Sequence, residues 1–145
     1  MIKRHIHLKI VIMNAKGIHY MFSGIFDSSF LSQLYGGDMD SARELFDTSV
    51  HHLSLELKNA INHYNNGDIV ALRRVFHKIK PLYGYVGLPA LHDHVLRFEN
   101  KCGMVTDTSE LRDEFEMMIS TIGDSLHVLR QELGRMRSFS NAKAS

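Results

Sequence analysis

One cysteine, Cys102, stands in a chain of 145 residues. That excludes an internal disulfide framework and fits a reducing compartment. Only two prolines occur, and 44% hydrophobic against 23% charged residues is not the composition of a disordered chain. No stretch approaches the roughly 20 consecutive apolar residues of a membrane helix, so no membrane association and a cytoplasmic location are expected. The formal net charge is +1, which leaves no global field to draw in a nucleic acid. The length suits one domain with a sizeable core rather than two.

The N-terminal residues differ from the rest. Lys3, Arg4, His5, His7 and Lys9 make them basic, and the apolar run Ile10-Val11-Ile12-Met13 is too short for the hydrophobic region of a signal peptide. Ile6, Leu8 and Ile10 alternate with His7 and Lys9, a period of two that favours a short strand. Residues 1–20 are therefore set apart as an extension. They read either as a segment packed on the domain or as the product of a start placed ahead of the true one at Met13 or Met21, with the second preferred.

From Asp27 the period becomes helical. Phe30, Leu31 and Leu34 predict a short helix stopped by Gly36-Gly37. Ser41 and Glu44 have capping-box spacing, and behind them Ala42, Leu45, Phe46, Leu53, Leu57, Ile61 and Tyr64 form one apolar stripe. Asn65-Asn66-Gly67 breaks that helix and Asp68 caps the next, which carries Leu72, Val75, Phe76, Ile79, Leu82, Tyr83 and Val86. Gly87-Leu88-Pro89 separates it from a helix bearing Leu91, Val95, Phe98 and Cys102, which Gly103 stops. After the Asp107 to Glu110 capping pair, Leu111, Phe115, Met118, Ile122, Leu126, Leu129, Leu133 and Met136 recur at steps of three and four. Four long amphipathic helices with short connections predict an all-α, antiparallel up-down four-helix bundle with a short additional N-terminal helix. The domain is placed at residues 21–137, followed by a polar, flexible tail at 138–145.

Chemistry concentrates in one place, from Arg73 to Gly87. On a helical wheel at about 100° per residue, the apolar residues of this helix fall on one side. His77 falls on the other, with Arg73, Arg74, Lys80, Pro81 and Gly84 above and below it. The histidine is thus predicted to be exposed among cations. A neutral imidazole is a good nucleophile at physiological pH, and Lys80, one turn on, could pair with a negative group added to it. Residues 68–101 hold six Lys or Arg and three Asp or Glu, while the last helix is acidic, so the positive region is local to the histidine.

The run His77-Lys78-Ile79-Lys80-Pro81-Leu82-Tyr83-Gly84-Tyr85-Val86-Gly87 resembles the signature of the HPt (histidine-containing phosphotransfer) domain. His77, Ile79, Lys80, Gly84, Val86 and Gly87 match it in register. Upstream, Leu34-Tyr35-Gly36-Gly37-Asp38 and Gly67-Asp68 through Leu72-Arg73-Arg74 resemble the family's opening motif and its entry to the active helix. The resemblance covers about residues 26 to 136. It implies a phosphoryl carrier without kinase activity of its own, a monomer in which His77 takes the phosphoryl group and Lys80 pairs with it. Arg73, Arg74, Lys78 and Gly84 would support the site or dock the partner. The implied partners are receiver domains of response regulators and hybrid histidine kinases, which would bring the Mg²⁺; no cofactor on this chain is implied. One position departs: Pro81 stands where the family usually has glycine, and should kink or widen the helix after His77.

Two other functional classes compete. A non-catalytic HPt-like interaction domain would bind receivers or kinases without carrying phosphate, and Pro81 is its support. A metal-binding bundle is disfavoured, because His51-His52 and His92-Asp93-His94 lack the spacing of three or four that puts two ligands on one helix face.

Overall fold

Each helix of the computed structural model, which describes residues 11–14 and 17–144, begins where the sequence supplies a cap. Asp27 accepts from the Phe30 amide at 3.0 Å and opens α1 (Ser28–Tyr35), which Gly36 ends in the left-handed conformation at φ 56°. Asp38 accepts from the Ser41 amide at 3.1 Å and opens α2 (Met39–Asn65). The expected box at Ser41 and Glu44 therefore lies inside the first turn, because Asp38 reaches the free amides first. Asp68 does the same for Ala71 at 3.0 Å and opens α3 (Ile69–Tyr85). Pro89 is the first residue of α4 (Pro89–Cys102), where its missing N–H is one the helix could not use. Glu110 Oε2 accepts from the Thr106 and Asp107 amides, each at 3.0 Å, and the 3-10 turn Thr108–Leu111 leads into α5 (Arg112–Ala144).

Contacts between helices fix their directions. Asp47 meets Arg137, Ser54 meets Arg130, and Tyr64 stacks on Phe115 at 4.1 Å. As one number rises the other falls, so α2 and α5 run antiparallel. Glu56 meets Lys78 across the turn between α2 and α3, and Glu99 meets Lys80 across the turn between α3 and α4. The result is an all-α bundle of four long helices with α1 added. All eight positions of the stripe expected on the last helix, from Leu111 to Met136, are buried, as are Leu72, Val75, Phe76, Ile79 and Tyr83 of α3 and Val86 just after it. Ile61 is an exception at 38% exposed; it sits at the edge of the α2 stripe.

Both expected domain boundaries move outward. Ahead of the bundle, β1 (Val11–Asn14) pairs antiparallel with β2 (Gly17–Tyr20); the alternation at Ile6, Leu8 and Ile10 lies outside the described residues. Tyr20 is already part of the fold: its hydroxyl donates to Glu132 Oε2 at 2.6 Å, and its ring meets Phe22 and Phe139 edge-on. The Ser23 amide and hydroxyl also donate to Glu132, and Arg135 pairs with the same carboxylate and donates to the Met21 carbonyl at 3.0 Å. At the other end α5 continues past residue 137, because Phe139 extends the stripe by one step and is buried against Tyr20. The expected tail is helix as far as Ala144.

Candidate functional site

His77 lies on α3 with its side chain 72% exposed, as the helical wheel requires. It is not free on both sides of the ring. Its Nδ1 is 2.6 Å from Oε1 of Glu99, which reaches across from α4. The other oxygen of the same carboxylate, Oε2, accepts from Lys80 Nζ at 2.7 Å. Glu99 is 10% exposed and Lys80 20%, so a nearly buried carboxylate lies beneath an exposed imidazole and a largely covered ammonium.

The charge state of Glu99 sets the hydrogen placement at His77. Burial alone would raise its carboxyl. Hydrogen bonds from Lys80 and His77, together with their charges, outweigh burial and hold it below the usual carboxylate range. At neutral pH the group is therefore a carboxylate, which only accepts. In the neutral ring Nδ1 is then the nitrogen that carries the hydrogen and donates it, which leaves the lone pair on Nε2, across the ring.

The remaining expected site residues divide between structural and surface positions. Lys78, 64% exposed, pairs with Glu56 of α2 at 3.2 Å, so α3 is tied to a buried carboxylate on each flank. Arg73 lies over the C-terminal end of α4. A Cβ added to Gly103 there would fall 2.9 Å from the Arg73 guanidinium carbon, and a cation at a helix C-terminus is favourable. Arg74 is exposed. A Cβ added to Gly84 would meet nothing within 4 Å, so no internal contact requires glycine there. Gly87 differs: its φ is +72° and a Cβ would come 2.9 Å from Leu31, so the turn after α3 and the seat of α1 both need it. Helix α3 runs unbroken through Pro81.

Glu99 was missing from the expected set. Its signal was present: it stands four residues after Val95 and three before Cys102, an acidic side chain at the margin of the apolar stripe of α4. Among the described residues, no three His, Cys, Asp or Glu side chains converge as a metal site. His92 Nδ1 faces the neighbouring Asp93 carboxylate at 3.2 Å. No helix among the described residues is long and apolar enough to cross a membrane.

With this geometry in view, the family model described as Hpt domain matches residues 39–138, and the chain belongs to that family. Among curated proteins none matches the sequence. The crystal structure of histidine-containing phosphotransfer protein B (HptB) from Pseudomonas aeruginosa PAO1 is similar in fold, with a TM-score of 0.65 at 22% identity. The match covers 79% of this chain and 98% of that one.

Proposed function

We propose that this chain is a phosphorelay intermediate whose phosphoacceptor is His77. It takes a phosphoryl group from the aspartate of a receiver domain, or from a histidine kinase system, and passes it to the aspartate of a response-regulator receiver. The observation that carries the reading is the 2.6 Å contact between Nδ1 of an exposed histidine and a nearly buried carboxylate.

The lone pair of Nε2 forms the new bond to phosphorus while the aspartyl P–O bond breaks and the aspartate leaves as a carboxylate. The ring thereby becomes cationic, and its Nδ1–H strengthens its donation to Glu99 as that charge develops, which stabilises the transition state rather than the resting state. No proton has to move. Glu99 is thus a positioning residue, and Lys80, held one turn away, is the cation that can turn from Glu99 to the incoming phosphoryl oxygens. The partner receiver would bring its own Mg²⁺; this chain adds a nucleophile, a cation and a docking face, and no kinase activity. Such a carrier works as a cytoplasmic monomer. Arg74 and Gly84 belong to its docking face, while Arg73 and Lys78 serve it indirectly by holding α3 against α4 and α2.

The test is time-resolved transfer from radiolabelled, phosphorylated receiver domains of the same genome. Acid-labile, base-stable label on the wild-type chain and none on His77→Gln is the expected result. Absence of label across the panel, or label that survives His77→Gln, overturns the reading. Receiver binding that needs neither His77 nor transfer would establish the interaction-domain alternative.

A further inference from the structure

Proline at position 81 removes the one amide that an α-helix offers to the carbonyl oxygen of His77, because that oxygen is normally bonded by the N–H four residues on. Here the helix continues unbroken from Ile69 to Tyr85, so the carbonyl stays in helical orientation without its usual donor. His77, Pro81 and Gly84 follow at steps of four and three and share one face of α3. His77 and Pro81 are exposed, and the space where a Gly84 side chain would stand is empty to 4 Å. Carbonyls on the solvent side of a helix tilt outward. The Pro81 ring stands against the His77 oxygen along the helix axis, so the side on which a donor can reach this acceptor is the solvent side, over Gly84.

We infer that the His77 carbonyl oxygen is a docking point for a hydrogen-bond donor of the receiver domain, a backbone N–H or a lysine ammonium, and that Pro81 is the positioning residue that frees it. The inference rests on the phosphorelay reading, since it names a contact of the same partner at the same site. An unpaired backbone acceptor invites a partner that supplies what the helix lacks, and the contact would place that partner's donor within a turn of Nε2. Alanine or glycine at position 81 would return the amide to the helix and leave the partner's donor to compete with it.

The experiment exploits an accident of the sequence: His77-Lys78 is its only His-Lys step. Protein labelled with ¹³C-carbonyl histidine and ¹⁵N-lysine therefore gives one carbonyl-to-amide correlation in NMR, and it reports the His77 carbonyl. Beryllofluoride-loaded receiver domains from the transfer panel serve as the probe. Saturation with a binding receiver is expected to move this resonance downfield in the wild type, the direction a new hydrogen bond produces. Pro81→Ala and Pro81→Gly are expected to fold, to melt no lower than wild type, and to bind about 3- to 10-fold more weakly, the value of one hydrogen bond. An unmoved carbonyl resonance at saturation, or unchanged affinity in both variants, overturns the inference. A receiver that binds but never phosphorylates His77 overturns the functional reading alone, because the carbonyl shift is still read on that complex. If no receiver binds, both fall.

Discussion

Glu99→Gln is the substitution that tests the site most sharply, because it nearly preserves shape while changing which hydrogen sits where. Lys80 can only donate, so the amide oxygen of a glutamine at this position would turn toward Lys80 Nζ, which lies 2.7 Å from Oε2 in the wild type. The amide nitrogen would then face His77 Nδ1. That nitrogen donates, so Nδ1 must accept, and the ring hydrogen moves to Nε2. The lone pair would be buried against the amide and the exposed nitrogen would cease to be nucleophilic. A charge-assisted hydrogen bond is worth roughly 1.5–3 kcal/mol. The imidazole is 72% exposed, and solvent screening moves the value toward the lower end. At about 1.36 kcal/mol per factor of ten, phosphorylation of His77 should slow by about 10-fold, and by no more than about 100-fold. Rapid-quench transfer from a receiver measures the rate, and two-bond ¹H–¹⁵N correlations of the imidazole report the tautomer. A rate within twofold of wild type, or an Nδ1–H tautomer retained in Glu99→Gln, would refute the reasoning.

Folding lowers the pKa of Glu99, so its contribution to stability is full above the unfolded-chain value of about 4.3 and is lost as pH falls through the lower folded value. Urea midpoints should therefore place wild type above Glu99→Gln near neutral pH, with the gap closing in acid; a gap independent of pH would contradict the ion pairs. The two glycines that bracket the end of α3 should separate by assay. Gly84→Leu should fold normally and lower receiver affinity, whereas Gly87→Ala should cost about 2 kcal/mol or more in urea unfolding, through its positive φ and the approach to Leu31. Cys102 is buried and its thiol is pushed up to about 11, mainly by that burial, so native protein should react with iodoacetamide far more slowly at mildly alkaline pH than unfolded protein does. Equal rates would place the thiol at the surface.

The helices were legible because their signals are local. The recurrence from Leu111 to Met136, the cap at Asp68 and the stop at Gly36 each depend on residues within one or two turns, and each holds in three dimensions. The exposure of His77 followed from the same period. Glu99 was not legible as its partner, because a contact between α3 and α4 depends on how the two helices are rotated against each other, which no single helix encodes. For the same reason Arg73, grouped with His77 by sequence, belongs to the end of α4. The underestimate at the C-terminus had a different cause: Phe139 sits one step beyond Met136 in a polar stretch, and its burial depends on Tyr20, a residue assigned to the extension.

The carboxylate of Glu132, 1% exposed, gathers Tyr20, Ser23 and Arg135 around one point, and it does so across 112 residues of sequence between Tyr20 and itself. Burial and the neighbouring carboxylate push the Tyr20 hydroxyl up, so it stays protonated and continues to donate. Closing so long a loop is slow compared with pairing adjacent helices, since its entropy is lost before any contact compensates. The α2–α3 and α3–α4 hairpins can therefore assemble the His77 and Glu99 pair early, and the knot at Glu132 ties last. In native-state hydrogen exchange, the amides of Tyr20 to Ser23 and of the last turns of α5 would open together, at lower cost than the helices that carry the histidine. The contacts expected to form first thus carry His77, and those expected to open first join Tyr20 and Ser23 to α5.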